Sequence, residues 1–149
     1  MIPNILDQFK TLISLIVIFY LSVDSIYCQN KQTVDSIQSF YQDCLDKGQF
    51  MSSCSKSYYR KMDSLLIVVY NKLRFNIDSI EKAQLRKEQR EWLLKRNNYF
   101  KKIQNEYKKD KQGASMPQDD IMEMYDKYAM FVQERVLYLI ETSEKIKIK

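Results

Sequence analysis

The stretch Leu85 to Arg96, Leu-Arg-Lys-Glu-Gln-Arg-Glu-Trp-Leu-Leu-Lys-Arg, holds the only tryptophan of the chain and reads as helix at every position. Leu85, Gln89, Trp92, Arg96 and Tyr99 follow one another at steps of four, three, four and three, which places them in one row of a helix. A core-facing row that carries a glutamine and an arginine beside a tryptophan needs partners for its polar groups, because burying them unpaired is costly. The row therefore predicts a hydrogen-bonded seam between helices rather than a plain leucine seam.

The rest of the chain agrees with helix. Two glycines and two prolines are too few for the corners of an all-β protein. At 149 residues one domain is expected. The predicted fold is all-α, a small bundle of about four helices in antiparallel hairpins.

Thr33 is placed to cap a first helix whose apolar positions are Val34, Ile37, Tyr41, Cys44 and Leu45, with Gly48 ending it. A second helix begins near Met51. It carries Cys54, Tyr58, Met62, Leu65, Leu66, Val69 and Leu73 on one side, with Tyr59, Asp63 and Tyr70 alongside. Leu66 to Val69 alone could be a strand, but the helical period persists on both flanks. Asp78 and Glu81 form a capping box that starts a third helix, with a kinked continuation of the second as the alternative.

The third helix runs to about Lys109, with Ile103 and Tyr107 continuing its face, and Asp110 to Gln118 is a loop holding Gly113 and Pro117. A fourth helix starts near Gln118, with Asp119 and Asp120 where the helix dipole favours negative charge. Its face is Ile121, Met124, Tyr125, Tyr128, Phe131, Val132, Arg135, Tyr138 and Leu139. The tail Lys145 to Lys149 is expected to fray. The basic end of the third helix (Lys101, Lys102, Lys108, Lys109, Lys111) and the acidic start of the fourth (Asp119, Asp120, Glu123, Asp126) should meet across the hairpin and set its register.

Ahead of these helices, Lys10 precedes an apolar run from Leu12 to Leu21. Ten helical residues reach about 15 Å, half of a bilayer core, so residues 1–28 read as a signal peptide cut before Gln29. Residues 29–149 are then the exported helical domain, with its core at about 44–141, in the periplasm or secreted. A lipid anchor at Cys28 is the alternative, and the bulky Tyr27 fits it poorly. Removing residues 1–28 changes 24 basic and 19 acidic residues to 23 and 17, a net charge of +6. In an exported protein this balance favours anionic envelope polymers or lipid head groups over nucleic acid.

Export leaves Cys44 and Cys54, which suit a disulfide closing a helical hairpin in an oxidising compartment. A metal site is the other use of two cysteines, but two sulfurs without any histidine make a poor ligand set. No cofactor motif is present. The absence of histidine removes His-assisted nucleophiles, and no carboxylate pair stands out among the acids, so the chain reads as a non-enzyme. Asp63 on the second helix, with Arg96 and Arg135 on the third and fourth, predicts an ion pair from Asp63 to one of the two arginines, joined by Gln89.

Taken together, these residues resemble the N-terminal domain family of LprI-type lysozyme inhibitors. Met51-Ser52-Ser53-Cys54 is similar to the family's Met-Asn-x-Cys, and Asp63, Leu66 and Tyr70 to its Asp-x-x-Leu-Asn-x-x-Tyr. Leu85, Gln89, Arg90, Trp92 and Arg96 are similar to Leu-x-x-x-Gln-Arg-x-Trp with an arginine four residues on. Gly113-Ala114-Ser115-Met116 resembles its Gly-Gly-Ser-Met loop, and Glu134-Arg135 with Leu139 its closing Arg and Leu. The resemblance spans roughly residues 44 to 141. The chain departs at Ile67 (Asn in the family), Asn97 (often Asp) and Phe100 (often a cysteine of a second pair).

The resemblance implies a small exported helical domain that acts on lysozyme by protein–protein contact, without transferring any inhibitory residue. Lysozymes of this kind are cationic, so a mature chain at +6 is repelled at long range. A local acidic patch such as Asp119, Asp120 and Glu123 is the expected contact. The alternative function is a basic envelope module that binds anionic cell-wall glycan, lipid or a membrane-bound partner.

Overall fold

The computed structural model describes residues 31–108 and 115–147; the expected signal peptide and most of the expected loop lie outside them. Among the described residues there are four helices and no strand. They are α1 (31–45), α2 (Met51–Phe75), α3 (Ser79–Lys108) and α4 (Gln118–Lys147).

Local chemistry accounts for most of the boundaries. Thr33 lies inside α1 instead of capping it, since the chain is already helical at residue 31, the first described residue. After α1 the chain turns through Gly48 at φ 64°, a left-handed conformation that suits glycine. Phe50 follows at φ 54° and its carbonyl accepts the N–H groups of Ser53 and Cys54, which starts α2. Between α2 and α3 the chain breaks at residues 76–78. Asp78 Oδ1 accepts from the N–H groups of Ile80 and Glu81 at 2.8 Å, and the Asp78 N–H donates to Glu81 Oε2 at 3.3 Å. The capping box is therefore formed, and α3 is a new helix rather than a continuation.

The bundle is built on α2 and α4, which run parallel and pack closely along their length. Their starts are tied by the Ser52 hydroxyl on Gln118, and their far ends meet around Leu73, Tyr138 and Thr142. Small side chains allow the close approach: Ser55, Ala129, Val132 and Val136 are fully buried. α1 and α3 flank this pair, each antiparallel to it. The seven apolar positions assigned to one side of α2 are all buried.

α4 is buried over a wider arc than its apolar row implied. Ala129, Val136 and Ile140 join the core while Tyr138 is largely exposed. A helix covered by three neighbours must bury more than one stripe. The expected fraying is corrected for residues 145–147, where α4 stays helical to Lys147 and Ile146 still packs against the core; Ile148 and Lys149 lie outside the described residues. α3 is the most peripheral of the three longer helices, with only Leu85 and Ile103 fully buried.

Candidate functional site

Polar groups converge on Trp92 from three helices. Arg96 Nη1 lies 3.3 Å from Asp63 Oδ1 on α2, and its Nε and Nη2 donate to Asn97 Oδ1 at 3.3 and 3.2 Å. Arg135 on α4 donates through Nε to Gln89 Oε1 at 3.1 Å. The two guanidinium groups lie 5.6 and 5.9 Å from the Trp92 ring, which is half-buried and stacks on Phe131 at 5.8 Å. Gln89 thus serves Arg135 and not the Asp63–Arg96 pair, and the indole joins the two branches.

Arg135 is the deeper cation. It is 9 % exposed, its Nη2 makes no hydrogen bond among the described residues, and its guanidinium lies 4.8 Å from the Tyr138 ring. Burial pulls its pKa down, while Tyr138, Glu88 and Tyr70 oppose the shift. Tyr70 is near enough to Arg135 to act on its charge but forms no hydrogen bond in the seam. Below the seam, aromatic rings fill the space between α3 and α4, and Phe100 stacks on Tyr128 at 3.9 Å.

The Asp63–Arg96 pair is about a quarter to a third exposed, so water screens it and the 3–5 kcal/mol cost of breaking a fully buried pair does not apply. Asp63→Ala should destabilise the fold by about 1 kcal/mol. Urea denaturation against the exposed control Asp35→Ala checks this, and equal losses would mean that the pair contributes nothing.

At the other side of the α2–α4 pair, Cys44 and Cys54 are joined, with S–S 2.00 Å and Cα–Cα 5.9 Å. Beside this clamp the Tyr41 hydroxyl donates to Asp126 Oδ1 at 2.7 Å and lies 3.1 Å from the Ser55 hydroxyl. Burial, and secondarily the Asp126 carboxylate, push the Tyr41 pKa up to about 12, against the lowering effect of Ser55, so the phenol keeps its proton at neutral pH. Tyr58 donates to Gln133 Oε1 and stacks face to face on Tyr41 at 4.5 Å.

From sequence, Tyr41 is expected only on the apolar face of the first helix and Asp126 against the third, and Gln133 is not singled out. The available signal was the spacing of Asp119, Glu123, Asp126, Met130, Glu134 and Leu137, at steps of four, three, four, four and three along one face of α4.

Of the expected contact residues, Asp119 and Glu123 are exposed and Asp120 is half-buried. Glu123 pairs within its own helix with Lys127 at 3.0 Å, and Lys127 also donates to Tyr107 of α3 at 2.7 Å. This lysine–tyrosine bond is one polar contact between the ends of α3 and α4, beside the packing of Ile103 and Tyr107 on Met124, while Asp126 turns to α1. Lys109 and Lys111 lie outside the described residues. Among the described residues no group of three or more His, Cys, Asp or Glu side chains could hold a metal, and no helix is long and apolar enough to cross a membrane.

The fold and its seam define a small all-α domain stapled by one disulfide. A family model described as lysozyme inhibitor LprI matches residues 43–130, more than half of the chain, so the chain belongs to that family. The match includes both cysteines, Asp63, Trp92, Arg96 and the acidic start of α4; Arg135 lies beyond it. No curated protein and no solved structure matches the chain.

Proposed function

We propose that the chain is an exported, non-catalytic binding domain of the lysozyme-inhibitor type, which meets a cationic protein through its α1/α4 side. The family supports the class of function. The observation that carries the contact is the segregation of charge across the bundle. α2 has five basic residues and one acidic, and α3 has nine and four. α4 has four basic and seven acidic, and α1 one and two. Because α1 lies beside α4 and α3 packs on the opposite side of the α2–α4 pair, the net positive charge of the chain does not describe the α1/α4 side. Charge complementarity there can steer a basic partner despite repulsion from the rest of the surface.

Titrating the exported chain against lysozyme activity at low and at moderate salt tests the reading. Inhibition that weakens only modestly with salt is expected, since close contacts are screened less than long-range attraction. No inhibition at either salt concentration would overturn it. The excess of Lys and Arg on α2 and α3 favours a second reading, a module that binds anionic cell-wall glycan or lipid. Retention on an anionic cell-wall fraction without inhibition would select that one. Export itself, with residues 1–28 removed, is checked by mass spectrometry of the mature N-terminus; a mass including Cys28 plus acyl chains would identify the lipid-anchored form.

A further inference from the structure

An open groove of about 510 Å³ runs between α1 and α4. Its wall includes Gln38, Tyr41, Asp126, Met130, Gln133 and Glu134, and among the described residues no lysine or arginine lines it, although the chain has 24 basic residues against 19 acidic. Asp126 is half-buried and forms no ion pair among the described residues; its one hydrogen bond is from Tyr41. Glu134 stands exposed at the rim, also without an ion pair. A half-buried carboxylate held in place by a neutral phenol, in a groove whose described lining carries no competing cation, is pre-organised for a positive ligand.

The other lining groups narrow the choice. Gln133 Oε1 faces Gln38 Nε2 at 3.5 Å and accepts from Tyr58, so an amide oxygen is held beside the carboxylates. Met130 and Leu137 give the groove apolar wall for a methylene stem. A planar group with several donors on an aliphatic stem fits this set better than a compact ammonium. A sugar fits less well, because Tyr41 and Tyr58 spend their facing ring surfaces on each other and Tyr58 is almost wholly buried.

We infer that the α1/α4 groove is a socket for an arginine side chain of the partner protein, with Asp126 as the principal acceptor and Glu134 at the rim. The inference rests on the reading of a cationic protein partner and names where that partner is gripped.

The test is a titration of the ¹⁵N-labelled exported chain with N-acetylarginine methylamide, followed by amide shifts. Saturable shifts are expected at Tyr41, Asp126 and Gln133, with N-acetylglutamine methylamide binding at least about fivefold more weakly. Asp126→Asn should weaken arginine binding about tenfold, whereas Glu91→Gln on α3 should leave it unchanged. Asparagine can still accept the Tyr41 hydrogen bond, and Glu134→Gln at the exposed rim offers a second variant that leaves the core intact.

Absence of saturable shifts, equal binding by Asp126→Asn, or tighter binding of an N-acetylglucosamine oligomer at the same residues would overturn the socket. Lysozyme inhibition tells the two proposals apart. If Asp126→Asn inhibits as well as the parent, the socket fails and the inhibitor reading stands. If arginine binds at Asp126 but the parent never inhibits, the inhibitor reading fails and the socket stands.

Discussion

Leu139→Ala should cost about 3 kcal/mol of folding free energy. Leu139 is 0 % exposed, in the same core as Met62, Leu73, Val132 and Val136. Alanine there loses the transfer free energy of the deleted carbons and leaves a cavity that two closely packed helices cannot easily collapse to fill. Leu94→Ala is the control, since Leu94 is 66 % exposed on α3 and its removal should change stability by less than about 0.5 kcal/mol. Urea unfolding midpoints of the two variants measure the difference. If they destabilised equally, the α2–α4 pair would not be the centre of the fold.

Loss of the disulfide has the next largest expected effect. Cys44 and Cys54 are ten residues apart in sequence, and opening so short a loop should cost about 2–3 kcal/mol on the chain-entropy estimate. The consequence is local as well as global. α1 is held to the bundle by this bond, by the buried Val34 and by the hydrogen bonds of Tyr41. In Cys44→Ser/Cys54→Ser, amide protection should fall first in α1, and arginine binding in the groove should fall with it, while α2, α3 and α4 stay helical. Denaturation with hydrogen exchange measures both effects. Unchanged protection of α1 in that variant would mean that the bond contributes nothing to its docking.

These two results separate the parts of the molecule. The close α2–α4 contact carries stability, because apolar burial grows with the area removed from water. The charged surfaces are carried mainly by α3, which is basic, and by α4, which is acidic. α3 shows this most plainly: its row of Leu85, Gln89, Trp92, Arg96 and Tyr99 lies at the margin of the core, and its polar members are satisfied at that margin rather than at the centre. A tryptophan with two guanidinium groups against it suits such a margin, since the ring buries apolar area while the charges keep partial access to water.

Much of this architecture was legible in the residues alone. The period of α2 marked its buried side, the Asp78–Glu81 spacing marked the start of α3, and a pair of cysteines around Gly48 marked the clamp. Each is a local signal, governed by helix geometry, hydrogen bonding at helix ends or chain closure over a few residues. Pairings across the bundle were not legible. Asp63 had two candidate arginines, Gln89 joined the one that Asp63 did not, and Asp126 left the expected α3 side for Tyr41. Sequence by itself determined which faces turn inward, because periodicity is a property of one helix. Only the tertiary structure decided which helices became neighbours, and so which side of a basic chain carries an acidic excess, because that choice depends on small residues letting α2 and α4 approach each other along their whole length.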